Sequence, residues 1–126
     1  MKILVVDDSK AMRMIVLSTL RKVGLGEHTF IEANNGKEAL TRVDESKPDI
    51  ILCDWNMPEM NGIQLITELN KRQTEKLIEK MPKFVFITSE STEIMQEQAT
   101  QQGAAGFITK PFKADMFKKV LGSIIM

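Results

Sequence analysis

The stretch Ile50-Ile51-Leu52-Cys53-Asp54-Trp55-Asn56-Met57-Pro58 decides how the whole chain is read. It opens on an unbroken apolar run, the pattern of a strand covered on both faces rather than one with a wet side. Pro48 punctuates the chain just before the run, and Asp54 ends it with a carboxylate. Runs of the same kind recur at Ile3 to Val6, Phe30 to Ala33, Phe84 to Ile87 and Gly106 to Ile108. Between and after them lie segments with helical spacing, such as Met12, Ile15, Val16, Leu20 and Val23, or Phe117, Val120, Leu121 and Ile124. Parallel neighbours need a crossover, so this alternation predicts an α/β fold, (βα)5, with a doubly wound five-stranded parallel sheet. Ser9 or Asp8 before the first helix, Gly24 after it and Gly36 opening the second agree with that reading.

Composition bounds the function. A chain of 126 residues with 43% hydrophobic and 27% charged side chains reads as one domain over residues 1–126 with its own core. Lys plus Arg and Asp plus Glu both number 17, and zero net charge argues against a nucleic-acid partner. Asp7 and Asp8 cut the apolar start far short of a signal-peptide core, and no run is long enough for a membrane span, so the expected location is the cytoplasm. A single Cys53 rules out an internal disulfide, and the terminal Ser-Ile-Ile-Met offers nothing to prenylate. The charged segment Asn70 to Lys80 reads as the solvated end of the third helix, and the end at Met126 leaves no length for a DNA-binding or catalytic second domain.

In an open α/β sheet, sites form beyond the carboxyl ends of the strands. That rule selects Asp7 and Asp8 after the first strand, Asp54 and Asn56 after the third, Thr88 and Ser89 after the fourth, and Lys110 and Pro111 after the fifth. Converging carboxylates repel unless a cation compensates, and carboxylates with a backbone carbonyl near Asn56 suit Mg2+. Zn2+ would want nitrogen and sulfur ligands, and His28 and Cys53 have no such company. With Thr88 as hydroxyl donor and Lys110 as ammonium, the set suits a phosphoryl group carried on a carboxylate. Asp54 is the best acceptor because it ends the central strand, leaving Asp7 and Asp8 to hold the metal.

These residues, Asp7-Asp8, Asp54-Trp55-Asn56-Met57-Pro58-Glu59-Met60-Asn61-Gly62, Thr88 and Lys110-Pro111-Phe112, make a chain that resembles the receiver domains of two-component response regulators. The likeness runs the whole length and is strongest to the single-domain chemotaxis branch. It implies a flavodoxin-like sheet of strand order 2-1-3-4-5. It further implies that Asp54 accepts phosphate from a histidine kinase, that Asp8, Asp54 and the Asn56 carbonyl bind Mg2+, and that Asp7 helps through water. Thr88 and Lys110 would hold the phosphoryl oxygens, Phe107 would be the switch aromatic, and Asn56 and Glu90 would tune hydrolysis. Lys110-Pro111 becomes a candidate cis peptide. The implied output is a protein-binding face on the fourth helix, fifth strand and fifth helix. The implied partners of a monomer are the kinase, a downstream protein such as a flagellar motor switch protein, and a phosphatase. The implied role is signalling rather than enzymatic turnover.

Two features depart from that branch. Phe107 stands where Tyr is usual and lacks its hydroxyl, and Leu69 to Pro82 is a few residues longer than typical. Taken singly, Asp7-Asp8 also reads as a helix N-cap pair, Thr88-Ser89 as a turn and Lys110 as a solvated charge. Cys53 reads as a buried strand thiol, and the nine Met as gap fillers, with Met57 and Met60 as candidates for exposure beside the acceptor. A stand-alone phosphorelay shuttle shares every site residue. A Mg2+-dependent phosphohydrolase with an Asp nucleophile is the enzymatic rival, but it needs an Asp-x-Asp pattern after its first strand, and here the pair is adjacent.

Overall fold

The computed structural model describes residues 1–90 and 92–125, so Met126, the end of the unit expected from sequence, lies outside the described residues. Strands and helices alternate in chain order as β1 (Lys2–Val6), α1 (Lys10–Lys22), β2 (Thr29–Ala33), α2 (Gly36–Ser46), β3 (Ile50–Asp54), α3 (Gly62–Thr74), β4 (Lys83–Thr88), α4 (Glu93–Gln101), β5 (Gly106–Thr109) and α5 (Ala114–Ile125). The five strands are parallel in the order β2-β1-β3-β4-β5, as expected. The apolar runs mark all five strands; most extend a residue further because Lys2, Thr29, Asp54, Lys83, Thr88 and Thr109 continue the ladder without being apolar.

Alternation along the central strands divides the core into two layers. Leu4, Val6, Ile51, Cys53, Phe84 and Phe86 face α2 and α3, where Ala39, Leu40, Leu65 and Leu69 cover them. Ile3, Val5, Ile50, Leu52, Val85 and Ile87 face α1 and α5, under Val16, Leu20, Phe117 and Leu121. Helix starts are capped by side chains that accept otherwise unpaired amides: Ser9 from Met12, Asn35 from Glu38 and Thr92 from Met95. Asn61 and Gln64 close a full capping box on α3.

Two sequence expectations need correction. Ile15 lies on the outside of α1, 50% exposed, because the buried stripe is centred on Arg13, Val16, Leu17 and Leu20. Asn70 to Lys80 is not all helix: α3 stops at Thr74, where Lys76 turns left-handed at φ 61° and the Leu77 amide folds back 2.8 Å onto the Arg72 carbonyl. The following loop leaves Leu77 exposed and encloses, with the end of α2, a cavity of about 400 Å3 lined by Val43, Pro48, Ile78 and Pro82 among others.

Gly62 shows how tightly α3 is seated: a Cβ there would come 2.7 Å from the Asp54 carbonyl oxygen and 2.9 Å from the Phe86 ring. Gly122, within α5, has open space instead. Gly62→Ala is expected to lose about 1–3 kcal/mol through overpacking, and Gly122→Ala to gain about 0.5–1 kcal/mol through helix propensity. Urea unfolding midpoints of the two variants check this, and a stable Gly62→Ala protein would show that the Asp54 loop can yield.

Candidate functional site

Strand register assembles the site. Val6 lies opposite Cys53 across β1 and β3, so the next residues, Asp7 and Asp54, emerge side by side at the carboxyl edge of the sheet. Thr88 ends β4 opposite Thr109 of β5, and the Lys110 amide donates 2.7 Å to the Thr88 carbonyl. The Lys110-Pro111 peptide is cis, as the family likeness implied.

Asp7, Asp8 and Asp54 each present a carboxylate oxygen, and these three oxygens lie within 4.8 Å of one another. Asp7 is buried, Asp54 half-buried and Asp8 exposed. Lys110 Nζ stands 3.6 Å from Asp7 Oδ2 and 3.5 Å from Asp54 Oδ1, a bridging position between the two carboxylates. Burial raises the pKa of Asp54 above the ordinary carboxylate value; the Asp7 charge adds to that, while Lys110 and the Asn56 amide oppose it. Burial likewise raises Asp7, opposed by the Ser9 amide and Lys110 and reinforced by Asp8. An all-oxygen, carboxylate-rich cluster with one solvent-facing member could hold a hard, hydrated divalent cation such as Mg2+.

Thr88 is fully buried, and its Oγ1 accepts from the Glu90 amide at 3.3 Å, which leaves the hydroxyl proton available. The Asn56 and Glu90 side chains are exposed, and among the described residues neither bonds to the carboxylates. Phe107 is half-buried one layer away, with its ring centroid 6.3 Å from Phe86 and 6.2 Å from Trp55. Met57 and Met60 are half-buried against the core rather than exposed. Met60 fills the space a Gly36 side chain would need, its Cγ only 2.5 Å from where that Cβ would sit, and its carbonyl accepts from the Gly36 amide at 3.3 Å. The start of α2 thus clamps the loop that carries Asn56. Burial, with the charges of Asp54 and Asp7, drives the Cys53 thiol well above its usual pKa, and its Sγ donates to the Asp54 carbonyl at 3.1 Å, so it is an inert strand thiol.

Sequence reasoning missed Arg13. It is buried, its Nη1 donates 2.6 Å to the Asp7 carbonyl, and its Nε pairs with Glu32 at 2.9 Å. The available signal was an arginine on the stripe of α1 where helical spacing calls for an apolar residue.

Comparisons with known proteins agree with this geometry. The response regulator receiver domain family matches residues 3–121. The chain is 38% identical to a chemotaxis protein CheY homolog of Campylobacter jejuni over 128 aligned positions, covering 99% of this chain and 92% of that one. It is 35% identical to the chemotaxis protein CheY1 of Helicobacter pylori, covering 99% and 97% of the two chains. Among solved structures, the chemotaxis protein CheY4 of Vibrio cholerae superposes with a TM-score of 0.80 at 29% identity, covering 98% of this chain and 97% of that one.

The raised carboxyls set a sign for stability. Because Asp7 and Asp54 bind protons more tightly folded than unfolded, their contribution is greatest below 3.8 and is lost as pH climbs through their folded values. In metal-free buffer, Asp54→Asn should therefore melt higher than wild type at pH 7, and the difference should shrink on acidification. Mg2+ at a hundred times its Kd should stabilise wild type by about 2.7 kcal/mol and the variant by less. Thermal melts in EDTA and in MgCl2 across a pH series test both; a variant no more stable than wild type at pH 7 would refute the cost of burying an ionised Asp54 beside Asp7.

Proposed function

Because the chain belongs to the response regulator receiver domain family, we propose that it is a phosphorylation-activated regulator whose acceptor is Asp54 and whose donor is a histidine kinase. The observation that carries this reading is Lys110 Nζ held 3.6 Å and 3.5 Å from the carboxylates of Asp7 and Asp54, beside a buried Thr88 hydroxyl. Receiver domains are signalling domains, and the chemotaxis names of the relatives support a place in chemotaxis; the target we propose is a flagellar switch component.

An ionised Asp54 oxygen attacks the phosphorus of the donor's phosphohistidine. The O–P bond forms as the P–N bond breaks, and the leaving imidazole keeps the electron pair and takes a proton from water. Lys110 and the Asn56 amide favour the ionised form of Asp54 that this requires. Mg2+ held by Asp7, Asp8, Asp54 and the Asn56 carbonyl would offset the charge that gathers on the phosphoryl oxygens.

The product carries about −1.5 to −2 of charge and three strong acceptors. Lys110 and the Thr88 hydroxyl turn toward them. Moving a two-state equilibrium from about 1:99 to 99:1 takes roughly 5.5 kcal/mol, and charge-assisted hydrogen bonds supply about 1.5–3 kcal/mol each. Two or three new bonds are therefore enough. Thr88 drawn toward the phosphoryl group frees space next to β5, into which Phe107 moves, and the change is read on α4, β5 and α5. Ile94 on α4 and Met116 on α5 are exposed there, 70% and 38%, as apolar contacts for a partner. Phe107 has no hydroxyl to hydrogen-bond, so its switch acts through packing alone.

Labelled acetyl phosphate with Mg2+ should phosphorylate wild type at one site and leave Asp54→Asn unlabelled, with Lys110→Ala labelled yet failing to enrich a partner in pull-down. Equal labelling of wild type and Asp54→Asn would remove the acceptor assignment.

A further inference from the structure

Arg13 sits on the buried stripe of α1 among Val16, Leu17 and Leu20. Desolvating a guanidinium is costly, and a Met or Leu would fill the same position without that cost, so the cation needs a reason to be there. Its two contacts supply one. Nη1 donates 2.6 Å to the Asp7 carbonyl, and Nε donates 2.9 Å to Glu32 Oε1 on β2. Glu32 is in turn tied to α2, since its carbonyl accepts from Arg42 Nε at 3.2 Å.

The Asp7 carbonyl belongs to the peptide unit that joins Asp7 to Asp8. Holding that oxygen sets the plane on either side of which the two carboxylates leave the backbone. The Ser9 amide, donating 2.9 Å to Asp7 Oδ1, then orients the first of them. We propose that Arg13 is a positioning residue, braced by Glu32, that aligns the Asp7-Asp8 peptide so that both carboxylates meet Asp54 at cation-binding spacing. This rests on the reading that the cluster takes Mg2+. Arg13 acts here through the two hydrogen bonds it donates, to the Asp7 carbonyl and to Glu32. A planar fork reaches two acceptors at once, one in the loop after β1 and one on β2, which the point-like ammonium of Lys does not.

The test is Mg2+ titration of the folded protein by the fluorescence of Trp55, the only tryptophan, at about 0.15 M ionic strength where charges beyond about 8 Å are screened. Arg13→Lys and Glu32→Ala should each raise the half-saturating Mg2+ concentration about tenfold. Glu32→Gln, whose amide oxygen still accepts from Nε, should stay within about twofold of wild type. Saturating Mg2+ should restore labelling of Asp54 in Arg13→Lys, which a general loss of structure would not allow. Wild-type affinity in both Arg13→Lys and Glu32→Ala would overturn the proposal, as would Glu32→Gln weakening as much as Glu32→Ala. A wild-type protein that takes up no Mg2+ would instead bring down the reading beneath it.

Discussion

Two carboxylates forced together at the edge of an apolar sheet are the constraint on which the other features depend. Asp7 and Asp54 emerge as neighbours because β1 and β3 are hydrogen-bonded in register, and the strands behind them are wholly buried. Water cannot screen the pair well there, and both acids hold their protons more tightly than usual. Lys110 bridges them, yet one ammonium cannot satisfy three acids, counting Asp8. The imbalance makes the site receptive to a divalent cation, and it leaves Lys110 able to follow whichever oxygen carries the most charge.

The scaffold holds that repulsion without letting it relax. α3 begins so close behind Asp54 that a side chain at position 62 would press on the Asp54 carbonyl and the Phe86 ring, and α2 begins so close to Met60 that a side chain at position 36 would have to displace it. On the other side of the cluster, Arg13 ties the backbone between Asp7 and Asp8 to β2. The starts of α2 and α3 and the Arg13 side chain of α1 therefore all bear on the loops that carry the carboxylates.

The same closeness links the cluster to the aromatic layer. Trp55, directly after Asp54, lies 4.8 Å from Phe86 and 6.2 Å from Phe107 between ring centroids. Phe107 pairs with Phe86 in the ladder and is half-buried. α4 buries Ala99 and packs Met95 against the same core, and its C-cap Gln102 accepts from Asn70 on α3. Trp55 thus connects the carboxyl end of β3 directly to the aromatic side chains of β4 and β5.

Much of this was legible in the chain. Unbroken apolar runs at Ile3 to Val6 and Ile50 to Cys53, alternating with helix-length segments, mark buried parallel strands, since parallel neighbours need a crossover and are covered on both faces. Acids, a hydroxyl and an ammonium at the ends of four strands mark the site, because parallel strands bring their carboxyl ends to one edge. Ile15, the end of α3 at Thr74 and the packing of Met57 and Met60 were not legible, and Arg13 was legible only as an anomaly on the apolar stripe of α1. Periodicity identifies a helical stripe only to within a residue or so, and a left-handed turn at Lys76 has no glycine to announce it. A buried arginine looks like a surface one until its partners on another strand are seen. The order and type of elements and the identities of the acids follow from local sequence, because strand burial and helix spacing are local properties. Which oxygen lies near which nitrogen, and what clamps the loop between them, were decided only by the tertiary structure, because those distances depend on register across strands far apart in the chain.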